Sequence, residues 1–174
     1  MLARSHLALA AVVLAGLVLA TAGPASPVRP CTGSSLSGTF SVIPGSAGAG
    51  NIVYALRLTN RSQQTCFVSG LAGLRLLGRA GRPLPTQVVP AFRGALTAVR
   101  VVLRPGRRAK ATARFSPDVP GTGEPVSGRQ CEPTAFKVRV TPPPGGGTLI
   151  ARVTPSTPVC EHGGIQLSAL SAAR

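Results

Sequence analysis

Hydrophobic and polar residues alternate along much of this chain. Ile52, Tyr54, Leu56 and Leu58 fall on one face of a run whose other face carries Val53, Ala55 and Arg57. Val99, Val101 and Leu103 alternate with Arg100 and Val102, Ala109 to Phe115 with Lys110, Thr112 and Arg114, and Phe136, Val138 and Val140 with Lys137, Arg139 and Thr141. A period of two is the mark of a half-buried strand. Shorter apolar runs at 36–43, 66–68, 74–77, 86–89, 148–153 and 165–168 read as further strands. Glycine and proline punctuate them, most densely at 44–50, 104–108 and 142–147, where the chain must turn. Convincing helical character is confined to the first 22 residues. About eight short strands with frequent turns predict an all-β fold, an antiparallel β-sandwich.

The opening segment reads as an address. Arg4 precedes an unbroken apolar run from Leu7 to Ala20, and Ala20 and Ala22 are the small residues that a signal peptidase reads. Cleavage is expected between Ala22 and Gly23. The run is short for about 30 Å of hydrocarbon, and no later run reaches spanning length. The expected organisation is a signal-peptide helix at 1–22, a flexible lead at 23–30, one domain at 31–168 and a loose tail at 169–174. The protein is expected to be secreted, with no transmembrane segment after cleavage.

Four cysteines, Cys31, Cys66, Cys131 and Cys160, lie beyond that segment. An even number in an oxidising compartment reads as two disulfides. Only Cys160 and His162 bring two soft ligands close, which is poor for zinc, and neither metal nor cofactor is expected. Strand geometry selects the pairing. A hairpin folded at 142–147 sets Cys131 and Cys160 almost equally far from its turn, and one folded at 44–50 does the same for Cys31 and Cys66. Cys31–Cys66 and Cys131–Cys160 are therefore expected, each worth about 3–4 kcal/mol in the chain-entropy model.

The cysteines sit within a wider pattern. Cys31 opens the domain, and Leu58-Thr59-Asn60, Ser62, Thr65-Cys66, Val68 and Gly70 form one motif. Leu103-Arg104-Pro105-Gly106 with Ala109 forms a second, and Val138 to Pro143, between Cys131 and Cys160, forms a third. In these stretches the chain resembles a secreted family of high-GC Gram-positive bacteria known as domain of unknown function 4232, over about Cys31 to Leu167. Leu71-Ala72 departs from the aromatic and proline common there. The resemblance implies an immunoglobulin-like, secreted or envelope-associated sandwich and carries no activity with it. Physically the first motif reads as structural. Asn60 can bond its own backbone at a strand end, with Ser62 and Thr65 capping the turn. The Asn60-Arg61-Ser62 sequon is expected to be idle, because 17 Arg against 2 Lys, beside abundant Ala, Gly and Pro, reads as a GC-rich bacterial genome.

Charge narrows the function. The chain carries 19 Lys and Arg against 4 Asp and Glu. Residues 23–117 hold 13 basic residues and no acidic one. A hairpin over 99–115 is expected to carry Arg100, Lys110 and Arg114 outward and to crowd Arg104, Arg107 and Arg108 at its turn. Such a surface attracts polyanions and weakens with salt. An anionic cell-wall polymer or an acidic protein is the expected partner. Secretion, the absence of Trp and a single Tyr weigh against nucleic acid, which base-stacking aromatics would read.

Catalytic material is sparse: after the first 22 residues come one histidine, His162, and four carboxylates, Asp118, Glu124, Glu132 and Glu161. No Gly-x-Ser-x-Gly elbow, phosphate-binding loop or dinucleotide fingerprint occurs. Glu132 and Glu161 adjoin the expected Cys131–Cys160 bridge and are expected near His162, where a carboxylate pair could serve glycosidase chemistry. The sequence thus predicts a non-catalytic binding module. Its rivals are a small hydrolase acting on wall material through His162 and a purely structural envelope protein.

Overall fold

A computed structural model describes residues 27–92, 99–127, 130–131 and 133–173. The expected signal segment, the Ala22–Gly23 junction at which cleavage is expected and Glu132 lie outside the described residues. Among the described residues fourteen strands follow in order: β1 Arg29–Pro30, β2 Leu36–Val42, β3 Ile52–Asn60, β4 Cys66–Ser69, β5 Gly73–Leu77, β6 Gln87–Pro90, β7 Arg100–Leu103, β8 Arg108–Phe115, β9 Val126–Ser127, β10 Gln130–Cys131, β11 Thr134–Thr141, β12 Leu149–Pro158, β13 Gly164–Leu167 and β14 Ser171–Ala172. Among the described residues none is α-helical. The long sheet runs β5-β11-β12-β2-β3-β8-β13-β6, with β14 on β8, and a second sheet is β1-β4-β7.

Alternation explains the layers. Along β8, Ala109, Ala111, Ala113 and Phe115 are buried while Arg108, Lys110, Thr112 and Arg114 are exposed. One hydrophobic core draws Phe40, Tyr54 and Leu56 from the long sheet together with Val68, Val101 and Leu103 from the other. Tyr54 stacks between Phe40 and Phe115, with ring centroids 5.0 and 5.1 Å away. The small alanines of β8 let these rings fill the interior.

The expected all-β sandwich with two disulfides is the fold observed. Both pairings are as expected, Cys31–Cys66 and Cys131–Cys160. In one hairpin Val140 faces Leu149, and in the other Leu36 faces Asn60. Cys66, however, belongs to β4, so its bridge ties the first hairpin's open end to the neighbouring sheet. The sheets are mixed rather than antiparallel, because β1 with β4, β12 with β2 and β13 with β6 run parallel. Neither flank is loose where it is described. Arg29–Pro30 pairs with Cys66–Phe67. Leu170 is buried and Ser171–Ala172 pairs with β8. Two-residue pairings carry no periodicity, so alternation could not announce them.

Two of the sequence motifs form one physical unit. Asn60 is fully buried. Its Nδ2 donates to the carbonyls of Gln64 and Leu103 at 2.7 and 2.8 Å, and its Oδ1 accepts from the Ser62 N–H and hydroxyl. Its backbone N–H donates to Arg107 O, and its carbonyl accepts from Gly106 N–H. The Thr-Asn motif thereby grips the Leu-x-Pro-Gly turn. Burial also bars Asn60 from carrying a glycan.

Candidate functional site

The expected 99–115 hairpin does not form. β7 pairs with β4 and β8 pairs with β3, so the turn at Arg104–Arg107 carries the chain from one sheet to the other. The turn itself gives the reason. Arg107 N–H bonds Arg104 O, with Pro105 second and Gly106 third at φ +75°. This is a type II arrangement, whose twist splays flanking strands, whereas hairpins favour the mirror-image turns. Asn60 then takes up the turn's free backbone groups.

The crossover divides the expected basic surface. Arg100 goes with β7, where its guanidinium lies 3.9 Å over the Phe67 ring and donates to Val28 O. Arg104 and Arg107 are exposed on the turn. Arg108, Lys110 and Arg114 stay together on the outer face of β8, and the structure adds two partners. Arg57 of β3 stands directly opposite Lys110. Arg61 reaches back to the same face, its Nε donating to Ser37 Oγ at 2.9 Å. Arg114 donates to Asn51 Oδ1 at 3.1 Å. Hydroxyls surround the Arg57–Lys110 pair, which opens on a cleft of about 200 Å³ lined also by Thr112, Ser168 and Ser171.

Like charges directly opposite on neighbouring strands are destabilising. Here nothing offsets them: among the described residues, no arginine or lysine stands in an ion pair with a carboxylate. Arg57 was visible in the sequence as the polar member of an alternating strand. Its position beside Lys110 depends on the β3–β8 register, which separates the two by 53 residues of chain and has no local signature.

His162 meets a carboxylate other than those expected. Glu161 precedes it, but Glu124 is the group that engages it, with Oε1 3.6 Å from Nδ1. Glu161, His162 and Gly163 all have left-handed backbone, at φ 49°, 54° and 76°, and such a conformation costs about 1–2 kcal/mol at each non-glycine residue. The turn points its N–H groups at Glu124, which accepts from Gly121, Glu161 and His162. The carboxylate thus fastens the loop at residues 121–124 to the turn beside the Cys131–Cys160 bridge. Among the described residues, no three His, Cys, Asp or Glu side chains gather as a metal site.

The side chain of Glu124 is only 7% exposed. Burial alone would raise its pKa, but the three backbone donors and the nearby His162 outweigh it and hold the carboxyl below its ordinary value. A depressed carboxylate stabilises the fold above its unfolded value, near 4.3, and that contribution disappears as pH falls through the lower folded value. Acidification through that lower folded value should therefore release the loop. Glu124→Gln should release it at neutral pH, with amide exchange at Glu161 and His162 about ten- to a hundredfold faster, as loss of charge-assisted hydrogen bonds implies. Exchange unchanged in Glu124→Gln would show that the carboxylate does not hold this turn.

A family model described as "Domain of unknown function (DUF4232)" matches residues 31–170. No curated protein and no solved structure matches the chain.

Proposed function

The chain belongs to the family of domain of unknown function 4232, and we propose that it works outside the cytoplasm as a non-catalytic module that holds an anionic polymer of the cell envelope. The observation that carries this reading is the outer face of β3 and β8. Arg57 and Lys110 stand opposite each other there, flanked by Arg61, Arg108 and Arg114. Five cations on one face, none paired with a carboxylate among the described residues, are a cost to the fold that a bound polyanion removes. Two disulfides support an oxidising compartment. Among the described residues no helix is long and apolar enough to cross a membrane. The apolar run at Leu7 to Ala20 supports export by a signal peptide.

The test is cosedimentation of the purified protein with its own wall fraction across a salt gradient. Binding should be strong at low salt and fall steeply as salt screens the face. A variant with Arg57, Arg108, Lys110 and Arg114 all replaced by Gln should lose at least tenfold in affinity. Its salt slope should drop by roughly one for each cation that no longer meets a phosphate. Its melting temperature should hold or rise, because the substitutions relieve like-charge repulsion on an exposed face. Retention equal to wild type would sink the proposal, and retention abolished by protease treatment of the wall would assign the partner to an acidic protein.

A further inference from the structure

A second group of cations, at the other end of the long sheet, surrounds a cleft rather than a flat face. Its origin is a break in the β11–β12 ladder. Ala135 faces Thr157, but Lys137, two residues on, already faces Arg152. Residues 153–156 of β12 leave that ladder, and Val153 and Thr154 pair instead with Phe40 and Ser41 of β2. The departure opens a cleft of about 470 Å³ bordered by Arg79, Phe136, Lys137, Ile150, Arg152 and Pro155.

The polar side of this cleft is cationic. Lys137 and Arg152 are directly opposed across the ladder, and in the next row Arg75 faces Arg139. Cβ atoms so paired are only about 4.5–5.5 Å apart. The guanidinium carbon of Arg79 lies over the Phe136 ring, 4.0 Å from its centroid. Attraction to the ring face holds the cation at the cleft, and a guanidinium carries five N–H donors suited to a two-pronged contact with phosphate. Thr154 and Ser156 add hydroxyl donors at the rim. Among the described residues none of these cations pairs with a carboxylate. The other side is apolar: Ile150 is 50% exposed beside the Phe136 ring and Pro155.

We propose that this cleft binds an organic phosphate monoester carrying an apolar substituent. Three cations on the cleft, with no acid among the described residues that line it, suit a group with about −1.5 to −2 charges at neutral pH and three acceptor oxygens, where a single carboxylate would leave positive charge uncompensated. The exposed Ile150 and the Phe136 edge give the substituent an apolar seat. A cleft of this size suits a discrete small ligand. The site shares no residue with the β3–β8 face, so each stands or falls alone.

Hexyl phosphate is the probe, titrated into the disulfide-intact protein and followed through backbone amide NMR shifts. Inorganic phosphate, hexanol and hexanoate serve as comparisons. Shifts should centre on Lys137, Arg152 and Thr154, and hexyl phosphate should bind at least tenfold more tightly than any comparison ligand. Affinity should fall between pH 7 and pH 5 as the phosphate takes up its second proton. Lys137→Gln with Arg152→Gln should weaken binding at least tenfold, while Arg29→Gln, a charge loss on β1, leaves it unchanged. Equal affinity for hexyl and inorganic phosphate would overturn the apolar seat, and equal affinity for hexanoate would overturn the phosphate assignment. Undiminished binding by the double variant, its spectrum showing it folded, would overturn the site.

Discussion

Asn60→Asp should lower the melting temperature by about 10 °C or more at neutral pH, although it exchanges one nitrogen for one oxygen. Both side-chain atoms of Asn60 have fixed roles. Gln64 and Leu103 offer carbonyl oxygens, which only accept, and the Ser62 N–H only donates. An aspartate would turn an oxygen toward both carbonyls in a fully buried site. Ionised, it repels them without solvent to screen it. Protonated, it supplies one donor where the amide supplied two. Each unsatisfied buried group costs about 1–3 kcal/mol, more with charge. A loss of about 3–4 kcal/mol corresponds to roughly 3–4 °C per kcal/mol for a domain of this size.

That variant also makes a pH prediction. The site disfavours the charged form, so the folded-state pKa of the new carboxyl should lie above its unfolded value near 3.9. Stability is then least impaired below that value and falls further as pH rises through the raised one. The deficit against wild type should be larger at pH 7 than at pH 4, as read by thermal melts at both. Wild-type melting at pH 7 would remove Asn60 from the role of lock between its strand end and the Arg104–Arg107 turn.

What the sequence disclosed depended on the range of the interaction. Alternation is local, so the runs at 52–58 and 109–115 marked their strands and their buried faces; at 136–140 it marked the strand and the buried Val138 and Val140, but the ladder shift between Ala135 and Lys137 buries Ala135 and leaves Phe136 half-buried beside Arg79. Disulfide pairing was legible because folding a hairpin about a Gly- and Pro-rich turn brings its two ends together whatever packs outside it. The 99–115 segment misled because Pro-Gly announces a turn, while the turn type decides whether the flanking strands pair or part. The buried Asn60 holds that arrangement from another strand, donating to the Leu103 and Arg107 carbonyls and accepting from the Gly106 N–H. The Arg57–Lys110 pair depends on register between distant strands. The Glu124 contact with His162 spans 38 residues and rests on a left-handed turn that no glycine announces at Glu161 or His162. The cleft at Lys137 and Arg152 exists because β12 changes partners midway, a consequence of packing that alternation in β12 alone does not contain.

Gly145, Gly146 and Gly147 read alike in the sequence, as one flexible turn, yet alanine at each should have a different effect. A Cβ on Gly145 would lie 1.9 Å from the carbonyl oxygen of Cys31 and 2.9 Å from its carbon. That contact is with backbone held by the Cys31–Cys66 bridge, by Cys31 N–H on Phe67 O and by Gly33 N–H on Gly146 O. Neither partner can rotate away, so the 142–147 turn must lift from the sheet end. Gly145→Ala should cost about 3 kcal/mol or more, at the upper end of overpacking changes. At Gly147 the nearest atom to a new Cβ is 3.6 Å away, but φ is +73°, a left-handed conformation worth about 1–2 kcal/mol against alanine. Gly146 has neither restriction: its Cβ meets nothing within 4 Å and its φ is not left-handed. Alanine there should be neutral or stabilise by about 0.4–1 kcal/mol, by reducing the freedom of the unfolded chain. Denaturant melts of the three variants should therefore rank Gly145→Ala lowest, Gly147→Ala intermediate and Gly146→Ala at or above wild type. Equal losses at all three would mean that the turn does not rest on the Cys31 carbonyl and that its glycines act only through chain flexibility.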